Sequence, residues 1–133
     1  MKIFLTADIE GIAGVTDWNE TELVHPEAEY AKPQMTQEVK AACLGANKAG
    51  AKEIFIKDAH GDARTLNPAE LPENIKIMRG WARNPYVMMA GIDATFAAAL
   101  FVGYHSGSGS PGNPLSHTMH CDFDSIKINS RKA

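Results

Sequence analysis

The first ten residues constrain the fold most strongly, because they predict a buried strand that ends in two carboxylates. The run from Lys2 to Glu10 is mostly apolar and strand-forming, and Gly11 follows it. Side chains two apart on a strand point the same way, so Asp8 and Glu10 should face one direction if extended geometry persists. Two like charges this close repel unless a cation, a proton or donor groups lie between them. The pair therefore indicates half of a metal site, although solvated charges at a strand end would give the same pattern.

A helix and a second strand place this pair at the edge of a parallel sheet. A helical pattern begins at about Pro26, and Pro33 is expected to break or kink it or to start a second helix. The helix is expected to end near Gly50. Its apolar face has the i, i+3, i+4 spacing and comprises Met35, Val39, Ala42, Cys43 and Ala46. A second strand, residues 52–60, follows. Strand, helix and strand in this order form a βαβ unit, whose two strands run parallel.

The second strand ends in Asp58 and His60, so these side chains should lie at the same carboxyl-terminal edge as the first pair. Ligands of open parallel sheets bind at that edge. Further along the chain we expect a loop or weak helix at 64–74, a short strand at 75–78 and a helical segment at 86–92. A strand at 97–105 that ends in His105, an active-site loop at 106–114 and a hairpin at 119–129 that turns at Asp124 and Ser125 should follow.

Composition limits the classes of protein to which the chain can belong. Its 133 residues are 44% hydrophobic and 22% charged, which predicts one α/β domain spanning residues 1–133. A net charge of −3 without a Lys/Arg cluster argues against nucleic acid and anionic membranes as partners. No apolar run reaches the roughly 20 residues that a membrane span needs, and no signal peptide is indicated. We expect a cytoplasmic protein in which Cys43 and Cys121 are buried free thiols.

Three strand ends thus carry side chains of metal-ligand type. Mixed carboxylate and imidazole ligands suit Zn, Mn or Fe, and a carboxylate such as Asp8 can bridge two metals that activate a water molecule. His117 follows the Gly/Ser/Pro loop after His105, and it could act as base, acid or oxyanion stabiliser, or have no role. His25 and His120 lie outside the pattern and are expected at the surface.

Four motifs together resemble the zinc-dependent D-aminopeptidases associated with dipeptide-transport operons. They are Asp8-x-Glu10-Gly11-Ile12-x-Gly14, Asp58-x-His60, Gly103-Tyr104-His105 and Ser116-His117-Thr118-Met119. The resemblance implies a three-layer α/β fold, in which helices flank a mostly parallel sheet and a β-hairpin follows, of which this chain is the N-terminal half. It also implies a metallopeptidase with two Zn²⁺ per chain that releases N-terminal D-residues from short peptides and assembles into a ring-shaped homo-oligomer, a decamer in the family.

The resemblance also assigns roles by position. Asp8, Glu10, His60 and His105 become metal ligands, with Asp8 bridging, and His117 becomes the catalytic histidine. The family's mechanism makes this histidine a nucleophile, whereas physical reasoning leaves a base or an intermediate stabiliser equally open. No feature of these motifs distinguishes a D from an L side chain, so the stereochemical preference rests on the resemblance.

One departure from the family pattern concerns a further glutamate ligand, expected shortly after the segment 126–129. The chain stops at Ala133, before that position, so one metal is expected to lack a carboxylate. Two alternatives follow: another binuclear hydrolase, such as a phosphoesterase or amidase, or a catalytically incomplete metal-binding fragment. The first strand ends in Asp-x-Glu and not in the Asp-x-His that usually opens binuclear phosphoesterase sites, and the Asn-His pair of those sites is missing from the sequence.

Overall fold

The computed structural model describes residues 1–112, 114–120 and 127–132, and a parallel sheet forms the centre of this part. Its strands are β1 (Lys2–Ala7), β2 (Glu53–Asp58), β3 (Ile75–Met78) and β4 (Ala98–Val102). The described strands run in the order β3-β2-β1-β4, and every neighbouring pair is parallel. The predicted α/β class and parallel βαβ unit are therefore confirmed, and the first strand of the chain is an inner strand of the sheet.

One long helix, α1 (Ala28–Lys48), connects β1 to β2 and runs without interruption through Pro33. The predicted break and second helix at Pro33 are therefore wrong. A proline removes one helical hydrogen bond, and here the burial of an apolar face compensates for the loss. The buried side chains on that face include Met35, Val39 and Cys43, as the spacing predicts. The helix ends just before Gly50, which has a positive φ of 94°.

The hydrophobic core lies between α1 and one face of the sheet. Its sheet residues alternate along the strands, as expected for side chains on one face, and include Ile3, Leu5, Ala7, Ile54 and Ile56. On the opposite face the rings of Phe4, Phe55 and Phe96 pack together, with centroids 5.4 to 6.1 Å apart. The described residues thus place their long helix on one face and an aromatic cluster on the other.

The helical segment predicted for residues 86–92 contains only a 3-10 turn, Val87–Met89. Val87 has a positive φ of 46°, which a continuing right-handed helix does not allow. The turn instead packs on the aromatic face, where the hydroxyl of Thr6 donates to the carbonyl of Met88 at 2.8 Å. Segment 64–74 is loop with one 3-10 turn, Pro68–Glu70, in line with the predicted loop or weak helix.

A short antiparallel hairpin, β5 (Lys127–Ile128) and β6 (Arg131–Lys132), lies near the end of the described chain. It turns at Asn129 and Ser130, both with positive φ. The turn predicted at Asp124 and Ser125 falls outside the described residues, as does Cys121. Cys43 is a buried free thiol, as predicted. Within the described ranges, no helix combines the length and the apolar character that a membrane crossing requires.

Candidate metal centre

Three strands end level with one another at the carboxyl edge of the sheet. Ala7 at the end of β1 is paired with Asp58 of β2 on one side and with Val102 of β4 on the other. The sequence predicted that β1 would extend to Glu10, but the strand ends at Ala7. The chain turns there because the Asp8 carboxylate accepts the N–H of Ile9 at 2.9 Å. Residues that follow each strand therefore gather at this edge.

Two glycines let the segments after β1 and β4 come into close contact. The N–H of Asp8 donates to the carbonyl of Val102 at 2.9 Å, and that of Gly11 to the carbonyl of Gly103 at 2.7 Å. A Cβ atom on Gly103 would lie 2.1 Å from the carbonyl oxygen of Asp8, and the φ of this glycine is +68°. Only glycine fits this position, and the close approach brings His105 to the carboxylates.

Asp8, Glu10 and His105 form a buried cluster. One ligand atom from each lies within 4.8 Å of the other two, and Nε2 of His105 is 3.8 Å from Oδ2 of Asp8. The two carboxylates are only 3% and 7% exposed. Burial raises the pKa of Asp8 above its usual value. Two carboxylates this deeply buried need a positive partner.

His60 provides that positive charge in the structure. Its Nδ1 lies 3.1 Å from Oδ1 of Asp8 and 3.2 Å from Oε2 of Glu10, and its Nε2 is 2.9 Å from the carbonyl oxygen of Thr21. A carbonyl only accepts, so Nε2 carries a hydrogen, and Nδ1 needs one as well to face two carboxylates. Burial alone would lower the pKa of His60, but the bonds to both carboxylates outweigh it and raise the pKa to about 10.

The same contacts act on Glu10 in the opposite direction. Burial alone would raise the pKa of Glu10, but the electrostatic interaction with His60 and the proximity of Asp8 outweigh it and lower the pKa to about 2. Oε2 of Glu10, although near His60, has no well-directed hydrogen bond to any described residue. This buried, charged oxygen has no bonded partner and lies beside the imidazole of His60. A divalent cation bound here would provide the missing partner and would replace the proton of the imidazole.

The donor set fits zinc. Nδ1 of His105 donates to the carbonyl of Ser106 at 2.9 Å, which leaves Nε2 with its lone pair on the side of Asp8. Nδ1 of His60 becomes an equivalent ligand once it loses its proton. Hydrogen bonds from the second ring nitrogen to a main-chain carbonyl are typical of metal-binding histidines, and two carboxylates with two imidazoles suit Zn²⁺. These four residues could therefore hold the metal.

His117 lies directly on this cluster. Its ring stacks on that of His105, with centroids 3.7 Å apart and planes 17° apart, and the ring of Trp18 meets it edge-on at 5.0 Å. Nδ1 of His117 donates to the carbonyl of Leu115 at 2.9 Å, so Nε2 is the ring nitrogen that can exchange a proton. The arrangement offers a proton acceptor beside the carboxylates.

Trp18 and Thr21 are neighbours of the site that sequence reasoning missed. Trp18 begins a 3-10 turn, Trp18–Glu20, and Thr21 is the residue that caps its end; a capping box between Asp17 and Glu20 stabilises the turn. The spacing of Asp17 and Glu20 was the available signal for this turn. It gave no indication that Trp18 would contact His117, or that the main chain of Thr21 would hold His60.

Asp58, also singled out from the sequence, is not among the three residues whose ligand atoms converge, and neither is His60, which contacts the two carboxylates through Nδ1. Oδ2 of Asp58 accepts the N–H of Leu66 at 2.8 Å, which ties down the loop after β2, and burial raises the pKa of Asp58. His25 and His120 lie apart from the cluster as predicted; the side chain of His25 is 38% exposed and His120 is exposed.

Comparison with known proteins shows similarity along the whole chain. The model of a family described as D-aminopeptidase matches residues 1–133. A D-aminopeptidase from Bacillus subtilis (strain 168) is 30% identical over 131 residues, which are 98% of this chain and 47% of that protein. The solved structure of the Zn-dependent D-aminopeptidase DppA from Bacillus subtilis, described as a self-compartmentalizing protease, superposes with a TM-score of 0.86 at 29% identity. That match covers 100% of this chain and 48% of the other. The chain therefore spans about half the length of these relatives.

Proposed function

The chain belongs to the D-aminopeptidase family, and from this premise we propose that it forms the metal-binding part of a zinc-dependent aminopeptidase. Its substrates would be short peptides with an N-terminal D-residue, hydrolysed in the cytoplasm. The single observation that carries this proposal is the position of His60, whose Nδ1 lies 3.1 Å from Oδ1 of Asp8 and 3.2 Å from Oε2 of Glu10, because a cation bound among these atoms would compensate both carboxylates. The stereochemistry rests on the family description and on the relatives named above.

Asp8, Glu10, His60 and His105 would hold zinc, with Asp8 bridging if two ions bind per chain. Zinc bound at these residues supplies a Lewis acid that polarises the peptide carbonyl and lowers the pKa of water. The burial of the two carboxylates, 3% and 7% exposed, keeps competing water away from their oxygens.

His117 would move the proton that peptide hydrolysis requires. With Nδ1 bonded to Leu115, its Nε2 can accept a proton as the nucleophile attacks and can return it to the departing amine. The stacking on His105 and the edge contact with Trp18 fix the orientation of the ring. This geometry suits a base and equally the nucleophile that the family's mechanism assigns, because both roles use the lone pair of Nε2.

The test measures zinc per chain and hydrolysis of D-Ala-D-Ala in the same preparations. We expect His117→Ala to abolish hydrolysis and to keep its zinc, because the residue acts beside the metal and not on it. His25→Ala, which changes an exposed histidine away from the cluster, is the matched control and should retain both. Loss of zinc from the His117 variant would show that His117 is a ligand.

Two further outcomes separate the proposal from its rivals. Hydrolysis of a generic phosphate ester in place of the dipeptide would indicate another binuclear hydrolase. Bound zinc with no hydrolysis of D-Ala-D-Ala by the unaltered chain would indicate a metal-binding fragment. Comparing D-Ala-D-Ala with L-Ala-L-Ala measures the stereochemical preference directly.

We also propose that the protein assembles into a ring-shaped homo-oligomer that encloses its active sites. The description of DppA as self-compartmentalizing supports this arrangement. So does the surface beside β4, where Phe101 is 57% exposed although the strand is one of the most apolar in the sequence.

A further inference from the structure

Trp18 presents a large apolar surface to solvent beside the candidate metal centre. The residue is 47% exposed, and the centroid of its ring lies 5.0 Å from that of His117. A single exposed apolar side chain is common on protein surfaces and needs no function. This one differs in its position, because it touches the histidine that would move the proton in peptide hydrolysis.

Polar contacts hold the turn that carries Trp18. Its carbonyl accepts the N–H of Thr21 at 3.0 Å, and the carboxylate of Glu20 accepts the N–H of Asp17 at 2.8 Å. No residue of the turn Trp18–Glu20 is buried. Just beyond it, the carbonyl of Thr21 lies 2.9 Å from Nε2 of His60. The turn is therefore fixed at the metal centre by its main chain and its acidic side chains, while the indole ring stays out of the hydrophobic core.

The contacts run in a fixed order outward from the carboxylates. Nε2 of His105 is 3.8 Å from Oδ2 of Asp8, and the ring of His117 stacks on that of His105 with centroids 3.7 Å apart. Two parallel rings at this distance leave no room between them, so Trp18 meets the edge or the other face of His117. The order is thus Asp8, His105, His117 and Trp18, and Trp18 is next to the proton carrier.

We propose that the exposed indole of Trp18 binds the side chain of the substrate residue on the C-terminal side of the cleaved bond. This inference rests on the proposed function, in which His117 returns a proton to the departing amine. That amine belongs to the leaving residue, so the side chain of this residue comes close to the ring of His117 and to the group that packs on it. An indole offers a broad apolar surface. The leaving residue is therefore apolar and preferably larger than alanine.

The test compares kcat/KM for D-Ala-D-Leu with kcat/KM for D-Ala-D-Ala. We expect the unaltered chain to favour D-Ala-D-Leu by about tenfold, because leucine buries more apolar surface against the indole. Trp18→Ala should lower this ratio to about one, whatever a loosened His117 does to both rates, and Trp18→Phe should keep most of it. Tyr86→Ala is the matched control, because Tyr86 is an aromatic residue that is 60% exposed and precedes a different turn. It should leave the ratio unchanged.

A fluorescence titration tests the same contact without hydrolysis. The chain has two tryptophans, so Trp81→Phe leaves Trp18 as the reporter and keeps a ring over Lys57. The probe is D-Ala-D-Leu with a methylene group in place of the peptide carbonyl, which the enzyme cannot cleave. We expect a saturable blue shift of the Trp18 emission as the indole loses water. The D-Ala-D-Ala analogue should bind about tenfold more weakly.

An unchanged ratio in Trp18→Ala would overturn the proposal, because a residue that only orients His117 affects both dipeptides equally. So would an emission of Trp18 that does not respond to the D-Ala-D-Leu analogue. A blue shift in a chain that hydrolyses neither dipeptide would contradict the proposed function and support the subsite. Hydrolysis of both dipeptides at equal kcat/KM would do the reverse, so the two proposals can fail separately.

Discussion

Three main-chain carbonyls determine which ring nitrogens the histidines of the candidate centre offer to a metal or a proton. Those of Thr21, Ser106 and Leu115 each accept from one nitrogen of His60, His105 and His117, respectively. In His60 and His105 the opposite nitrogen faces the carboxylates. The types and positions of the histidines could be predicted from strand ends, but these tautomers could not, because a carbonyl group is common to all residues and leaves no signal in the sequence.

Changing Glu10 to glutamine tests the assignment of the carboxylates. The substitution keeps the shape of the side chain and removes the charge that faces His60, so we expect the zinc content of Glu10→Gln to fall by about tenfold or more at limiting free zinc. Zinc per chain is measured by mass spectrometry of the metal after dialysis. Glu53→Gln is the control, because Glu53 pairs with Lys76 away from the centre. Equal zinc in both variants would contradict the assignment.

The thiol of Cys43 should be protected by burial. Desolvation raises its pKa from the usual 9.0 to about 11, so its reactive thiolate is scarcer in the folded chain than in the unfolded chain. We expect iodoacetamide to label Cys43 at pH 8 only in urea, as peptide mapping by mass spectrometry will show. Since the unfolded thiol loses its proton first, this group should lower the free energy of unfolding as the pH rises from 9 towards 11. Equal labelling with and without urea would contradict the burial of this residue.

At the scale of elements, local sequence patterns located the strands and the long helix but not their ends. The apolar face of α1 was predictable because its side chains recur with helical spacing. Its passage through Pro33 was not, because the packing of that face decides between two local outcomes. The prediction of a helix at residues 86–92 was wrong because of packing as well. This apolar, helix-like segment adopts a positive φ at Val87 and packs as a 3-10 turn on the aromatic face of the sheet.

Gly103 should be the glycine least tolerant of a side chain. In Gly103→Ala the new methyl would lie 2.1 Å from the carbonyl of Asp8 and would require an unfavourable positive φ. We expect a loss of at least about 2 kcal/mol in the free energy of unfolding, together with weaker zinc binding, because β4 must move away from β1. Urea denaturation measures the first and zinc content the second.

The control for this prediction is Gly45→Ala. Gly45 lies within α1, and an added methyl there would meet nothing within 4 Å. Alanine should therefore stabilise the chain by up to about 1 kcal/mol through its higher helix propensity. If the two alanine variants had the same stability, the close contact between the segments after β1 and β4 would be ruled out.

At the scale of the whole molecule, the sheet has an apolar outer strand that the described part of the chain leaves uncovered. Among the described strands, β4 has a neighbour on one side only, and its Phe101 is largely exposed on the aromatic face. Soluble proteins usually cover such an edge or place charges on it. The sequence showed that this strand is apolar, but its position at the edge depends on the strand order, which local patterns do not specify.

We expect the chain to associate through this surface. Phe101→Lys places a charge on the exposed face, so it should reduce the mass measured by light scattering at a given protein concentration. Val24→Lys is the matched control, because Val24 is 96% exposed and lies in a loop. An unchanged mass in the Phe101 variant would place the subunit interface elsewhere.

The order of strands in the sheet also has a consequence for how the protein is made. β1 lies between β2 and β4, and its register pairs Ile3 with Ala98, so β1 meets its second neighbour only after α1, β2 and β3 have been translated. Contacts this distant in sequence form slowly. Asp8 and Glu10 are therefore synthesised well before His105. The full set of ligands can hold a metal ion only in a chain whose sheet is already assembled. Capture of the metal would thus follow the assembly of these strands, and chains that stop before β4 would be left without it.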